Sequence, residues 1–168
     1  MPKPKDVDPH GHELVHRLRA LVVQLDLLGA EFAHLHGLHA TDVRALISLL
    51  DSERAGHRAT PGWLGQQLGL NSASVTALVD RMERNELVAR RRDARDRRRV
   101  IVEVSDTAKE LGWSFFGPLI SHAVVATQDF SPEQVDTIDS FLSSMIAAVE
   151  TTRRGQTRTT DGWSRRNT

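Results

Sequence analysis

Residues 89–104 read "ARRRDARDRRRVIVEV". Arginine fills seven of the ten positions from 90 to 99, Asp93 and Asp96 sit among them, and an alternating apolar run follows at once. Successive side chains of a strand point to opposite faces, so Val100, Val102 and Val104 go one way and Ile101 and Glu103 the other. With "LVARR" just before it, the stretch reads as a β-hairpin whose turn, "RDARDR", carries the charge. A charge run is most often a solvated face. Here the strand "VIVEV" needs a fold to bury it, which places the arginines on a folded element. Asp93 and Asp96 are expected to hold neighbouring guanidiniums by bidentate pairing and to limit repulsion within the hairpin.

Upstream lies "TPGWLGQQLGLNSASVTALVDRMERNEL", residues 60–87. Thr60 is placed to cap a short helix with Pro61 at its first position, where the missing N–H costs nothing. "GLNS" then gives a tight turn, with Asn71 or Ser72 as the next cap. The following helix runs to about Asn85 and turns Val75, Leu78, Val79 and Met82 inward. Its opposite face carries Ser72, Ala73, Thr76, Ala77 and Arg81, with Ser74 near the start. Bulky apolar groups are absent there, as close approach to base edges requires, and hydroxyl and methyl groups can both read bases. Two helices in this layout form a helix-turn-helix, and an arginine-tipped hairpin directly after them makes it a winged one. A wing of this kind lies along the backbone and places a guanidinium in the adjacent minor groove, where negative potential is focused.

The rest of the chain is helical in pattern, so the fold class is mainly α with one small β-hairpin. Residues 1–11 hold three prolines and read as a flexible arm. Apolar residues recur every three or four positions over 12–36, and Gly37 can end that helix. Thr41 is read as the cap of the next one. Ser105 or Asp106 opens a long helix, and "FSPEQV" a last one, with Ser131 as cap and Gln134 reaching back. A single domain over 12–150 results, with a DNA-binding lobe at about 40–104, flanking helices at 12–36 and 106–150, and a basic tail at 151–168. Arg153, Arg154, Arg158, Arg165 and Arg166 of that tail are available for salt-sensitive phosphate contacts.

The 168 residues carry 22 basic and 22 acidic side chains, so placement rather than total charge argues for nucleic acid. The absence of cysteine removes disulfides, thiolate metal sites and thiol redox switching. No segment has the length and apolarity of a membrane span, the N-terminus is polar, and a cytoplasmic location is expected.

On these residues the span from about Leu38 to Leu111 resembles the MarR (multiple antibiotic resistance regulator) family of bacterial transcription factors. The matching pieces are "LGQQLGLNSASVTALVDRMERNELVAR" and "RDARDRRRVIVEVSDTAKEL". In the second, Asp96-Arg97-Arg98 stands for the family's wing core. The flanking helices match its dimerisation elements in position. The resemblance implies a homodimer on a roughly palindromic double-stranded operator. Ser72, Ser74, Thr76, Ala77 and Arg81 would face the DNA. Arg98 would be the minor-groove arginine, oriented by Asp96 or Asp80, with Arg95 and Arg97 near phosphates. Ala77 stands where many relatives carry a long polar residue. Gly65 and Asn85 stand where alanine and glycine are frequent, which bears on the local turn geometry. Gly117-Pro118 is expected to bend or break the fifth helix.

The resemblance also implies a small aromatic or anionic effector in a pocket between the dimer base and the DNA-binding lobe. His34, His39, Arg44, Trp113 and Phe116 lie on the segments that would wall it. Trp113 and Phe116 read more simply as dimer-core aromatics. His12 and His16 share a helix face, but no thiolate or carboxylate is placed to complete a metal site, so none is assigned and no cofactor is expected. The sequence has no nucleophile motif, phosphate loop or paired catalytic carboxylates, and no enzymatic activity is assigned. The reading is a dimeric repressor released by a small ligand. A histidine-based metal-responsive protein and a non-specific architectural DNA binder are the alternatives.

Overall fold

Val75, Leu78, Val79 and Met82 fall on one stripe of the helix Ser72–Arg84, and all four are buried. They close over a core that draws on every neighbouring element. A computed structural model describes the backbone of residues 9–164 and the side chains of 10–153. The order is α1 (Pro9–Leu35), α2 (Ala40–Arg54), α3 (Pro61–Leu68), α4 (Ser72–Arg84), β1 (Val88–Arg92), β2 (Val100–Val104), α5 (Asp106–Thr127) and α6 (Pro132–Ser164). The chain forms two compact units, one ending at Phe115 and the other beginning at Phe116. In the first, Leu46 and Leu49 of α2, Leu64 of α3, Leu78, Val79 and Met82 of α4, and Val88, Val102 and Val104 of the hairpin share one apolar cluster.

The helix starts follow the capping chemistry. Thr60 Oγ1 accepts the Trp63 N–H at 3.2 Å, and Asn71 Oδ1 accepts the Ser74 N–H at 2.9 Å. Ser105 Oγ accepts the Ala108 N–H at 3.1 Å, and at α6 Gln134 reaches back to the Ser131 N–H at 2.8 Å. Helix α2 begins earlier than a Thr41 cap would allow. His39 is the N-cap residue, and its N–H donates to Asp42 Oδ2 at 2.9 Å. An acid at the third helical position satisfies an otherwise orphaned donor, so Asp42 rather than Thr41 fixes the start.

β1 and β2 pair antiparallel, Val88 opposite Val104 and Arg92 opposite Val100. Val102 and Val104 enter the core as the alternation requires, whereas Val100 at the turn end stays exposed. Ile101, on the other face, is also buried. Residues 58–59 run along the free edge of β2, where the Val102 N–H donates to the Ala59 carbonyl at 2.8 Å.

The turn between α4 and β1 is a Schellman end. Leu87 N–H reaches the Met82 carbonyl at 2.9 Å, and Glu86 N–H reaches the Glu83 carbonyl at 3.0 Å. The left-handed residue is Glu86, with φ 57°, and not Asn85, with φ −90°. A side chain in that region costs about 1–2 kcal/mol, part of which glycine returns through its freer unfolded chain. Glu86→Gly should therefore raise stability by about 0.5–1 kcal/mol in chemical denaturation. A loss of stability would contradict the turn assignment. At Gly65 an added Cβ would lie 3.0 Å from Val75 Cγ2 and 3.1 Å from the Leu70 carbonyl oxygen, so glycine lets α3 and α4 approach closely.

Three boundaries differ from the sequence reading. Helix α1 starts at Pro9, inside the expected arm, since proline is tolerated in a first turn; residues 1–8 lie outside the described residues. Helix α5 is continuous through Pro118 instead of breaking there. The ring removes the donor to the Ser114 carbonyl and crowds that oxygen, a local cost that does not end the helix. Helix α6 runs to Ser164, so the backbone of 151–164 is helical where a tail is expected. No proline interrupts that stretch. The Arg153 side chain is exposed; the side chains of Arg154 and Arg158, and all of Arg165 and Arg166, lie outside the described residues.

Candidate nucleic-acid interface

Burial of the Val75–Met82 stripe decides what α4 shows to solvent. Ser72, Ser74, Thr76 and Ala77 are all exposed, as their spacing from the stripe requires. The Thr76 hydroxyl donates to the Ser72 carbonyl at 2.9 Å, which leaves its methyl group and oxygen lone pairs outward. The face is short-chained, with no bulky apolar group to hold a partner's surface at a distance.

The hairpin tip is built by carboxylates acting on backbone. Asp93 Oδ1 accepts the Arg95 N–H at 2.8 Å, and the Asp93 N–H donates to the Arg99 carbonyl at 3.0 Å. Asp96 Oδ1 accepts the Arg98 N–H at 3.0 Å, and its carbonyl takes the Arg99 N–H at 2.9 Å. These bonds shape the loop and leave the exposed guanidiniums of Arg95, Arg97 and Arg98 without a carboxylate among the described residues.

Several expected roles change. Asp93 does not pair with a neighbouring wing arginine; it is buried and pairs with Arg58, in the loop between α2 and α3. The loop, not the hairpin, supplies its cation, so the wing is fastened to the body of the lobe. Asp96 acts on the Arg98 backbone and not on its guanidinium. Asp80 does not orient Arg98 either: it accepts from Arg90 Nη2 at 2.5 Å, while Glu83 takes Arg90 Nη1 at 2.5 Å and the Arg90 N–H at 3.2 Å. Arg90 is the nearer cation, on the β1 segment beside α4. Burial opposes its charge, but the bonds to Asp80 and Glu83 outweigh that and raise its pKa.

Arg81 departs furthest from expectation. Its guanidinium turns to α2 and not to the outward face: Nε lies 3.2 and 3.3 Å from the two oxygens of Asp42, and Nη2 lies 2.5 Å from Oδ1. Asp42 is only 1% exposed, and a buried carboxylate demands a cation more strongly than solvent does.

Asp93 links the wing to pH. The Arg95 N–H holds its carboxyl below the ordinary carboxylate range, desolvation opposes this, and Arg58 and Arg99 add to the lowering. A folded pKa below the unfolded one gives stability that is present above the unfolded value, about 3.9. That stability is lost as pH falls through the folded value. The melting temperature of the wild type should thus exceed that of Asp93→Asn at neutral pH, and the gap should close in acid. A gap that stays constant would contradict this role for Asp93.

Of the five effector candidates, His34, His39, Arg44 and Trp113 lie in the first unit. His34, His39 and Arg44 are exposed, Arg44 lies 3.6 Å from Asp26, and Trp113 is 62% exposed. Phe116 belongs to the second unit. A groove of about 880 Å3 runs between the end of α2, residues 56–59, the outer sheet face and the start of α5, and none of the five lines it. Among the described residues no three histidine, aspartate or glutamate side chains gather as a metal-sized group, and no helix is long and apolar enough to cross a membrane.

Comparison with known proteins agrees with this geometry. A model of the MarR family matches residues 36–99. The HTH-type transcriptional regulator YcgE of Bacillus subtilis is 35% identical over 114 residues, which are 68% of this chain and 71% of that protein. A MarR family protein from Bacillus stearothermophilus superposes with TM-score 0.58 at 25% identity, covering 82% of this chain and 94% of that one. MepR of S. aureus shares the fold at 16% identity. A mutant of it from a multidrug-resistant clinical isolate gives TM-score 0.65 over 81% of this chain and 96% of its own, and a structure of MepR in complex with DNA gives 0.52 over 80% and 98%.

Proposed function

Because this chain belongs to the MarR family of HTH-type transcriptional regulators, we propose that it binds operator DNA as a homodimer and represses transcription until a small ligand releases it. The observation that carries the DNA-binding reading is the pairing of two surfaces in one unit. Helix α4 presents Ser72, Ser74, Thr76 and Ala77, and the wing presents Arg95, Arg97 and Arg98 with no carboxylate among the described residues to neutralise them. The first set suits base edges of a major groove; the second suits phosphates and a narrow minor groove. The proposed contact set leaves out Arg81, whose guanidinium is engaged by Asp42.

The homodimer is supported by apolar surface that a solitary chain leaves wet. Leu21, Val22 and Leu25 of α1 are exposed, as are Ile138, Leu142, Ile146 and Val149 of α6. Stripes of this size on two long helices call for a partner surface, and a second copy supplies the twofold symmetry that a palindromic operator mirrors. Ligand release rests on family likeness and on MepR, which has been solved bound to ethidium bromide.

The test is titration of the purified protein against DNA from upstream of its own gene, with excess competitor DNA, at two salt concentrations. Binding that survives competitor and falls steeply with salt is expected. Binding abolished by competitor would replace this reading with a non-specific DNA binder.

A further inference from the structure

Helix α4 is gripped on both flanks by ion pairs, and only one grip belongs to the wing. At about 100° per residue, Val75, Leu78, Val79 and Met82 centre on one direction of the helix. Arg81 leaves it about 110° round from that centre on one side, and Glu83 and Asp80 about 90° and 150° round on the other. Glu83 and Asp80 hold Arg90 of β1, while Arg81 holds Asp42 of α2. The packed stripe resists separation and rolling alike, but its contacts set no preferred angle as a hydrogen-bonded ion pair does. The directional constraint comes from the flanks.

We infer that Asp42 is a positioning residue for DNA recognition, acting through Arg81 to fix the roll of α4. This inference rests on the DNA-binding reading above. Asp42 is 1% exposed and sits in the first turn of α2, so it cannot touch nucleic acid itself. Its carboxylate is immobilised from its own side by the His39 N–H at 2.9 Å, so it cannot follow Arg81 if α4 turns. Arg81 meets it through both Nε and Nη2, a fork that sets angle as well as distance. Buried ion pairs are seldom better for stability than apolar replacements, and their best-attested use is to fix one arrangement among several. A roll of about 10° moves a side-chain tip about 5 Å from the helix axis by roughly 0.9 Å, enough to spoil a hydrogen bond from Thr76 to a base edge.

Charge alone predicts opposite outcomes for the two partners, which makes the experiment decisive. Asp42→Asn removes a negative charge and would tighten DNA binding by simple electrostatics; Arg81→Gln would weaken it. The positioning role predicts that both lower the ratio of operator to competitor affinity by about tenfold or more, and that the double variant is no worse than either single one. Hydrogen exchange of α4 amides should quicken in both variants while that of α2 core amides, such as Leu46 and Leu49, holds. Should Asp42→Asn fail to fold, Arg81→Lys keeps the charge, loses the fork and carries the same test. Loss of operator preference in Arg81→Gln with full preference in Asp42→Asn would overturn the inference, because Arg81 would then act on DNA directly. Unchanged α4 exchange would overturn it as well. If the wild type itself shows no operator preference, the regulator reading fails. The exchange arm then decides alone, quickened α4 exchange upholding the strap and unchanged exchange refuting it.

Discussion

Met82→Ala should lower folding stability by about 2–5 kcal/mol, the range for truncating a fully buried long side chain. Met82 is 0% exposed and belongs to the cluster shared by α2, α3, α4, the hairpin and the start of α5. Its unbranched thioether fills the space where these elements converge, and alanine would leave a void lined from several directions. The carbonyl of Met82 also accepts the Leu87 N–H, so a shift of the helix here would disturb the turn into β1. A typical domain is stable by about 5–15 kcal/mol, which makes the expected loss a large share of the whole. Urea titration of both proteins checks it. A change below about 1 kcal/mol would mean that α4 does not close this core.

Arg98→Ala should weaken operator binding by about 1–3 kcal/mol, a factor of roughly 5–150 in Kd, with no change in melting temperature. The two halves of this expectation have separate causes. The fold uses only the Arg98 backbone, whose N–H meets Asp96 Oδ1 at 3.0 Å, and alanine keeps that N–H. The guanidinium is exposed and meets no carboxylate among the described residues, so its removal costs the fold nothing. Arg97→Ala offers the control. Without its guanidinium on a phosphate, affinity should fall for all sequences alike and the salt slope should drop by about one. An Arg98→Ala protein with unchanged operator affinity would remove the wing from the interface.

Local chemistry was legible at most helix ends, though not at the start of α2, where Asp42 and not Thr41 meets the free N–H, nor at Glu86, the left-handed residue after α4. The inward stripe of α4 and the cap residues Thr60 and Ser131 follow from periodicity and from hydrogen bonds spanning three positions, while the structure chooses Asn71 over Ser72 and Ser105 over Asp106. The paired hairpin around the arginine turn follows as well. The partners of buried charges did not follow. Asp42 and Arg81 are 39 residues apart, and Arg58 and Asp93 are 35 apart, distances at which no pattern in the chain shows the pairing. The one signal for Arg81 was its length: it stands as far round α4 from the apolar stripe as Thr76 does, but its long side chain can reach back to a neighbouring element. Asp42, set next to the buried Val43, likewise marked a charge in need of a cation. Adjacency in sequence pairs the wing aspartates with the nearest arginines. The fold instead uses them to shape backbone and to bind Arg58.

The proposal that α4 and the wing together read a double-stranded site meets its sharpest check in a hydroxyl-radical footprint on the upstream DNA. Protection is expected on one face of the duplex. Two protected blocks would be centred about one helical turn or a multiple of it apart, and minor-groove sugars would be shielded beside each. In Arg98→Ala the minor-groove shielding should vanish while the blocks persist. Uniform weak protection with no periodicity, or shielding that Arg98→Ala leaves intact, would contradict it.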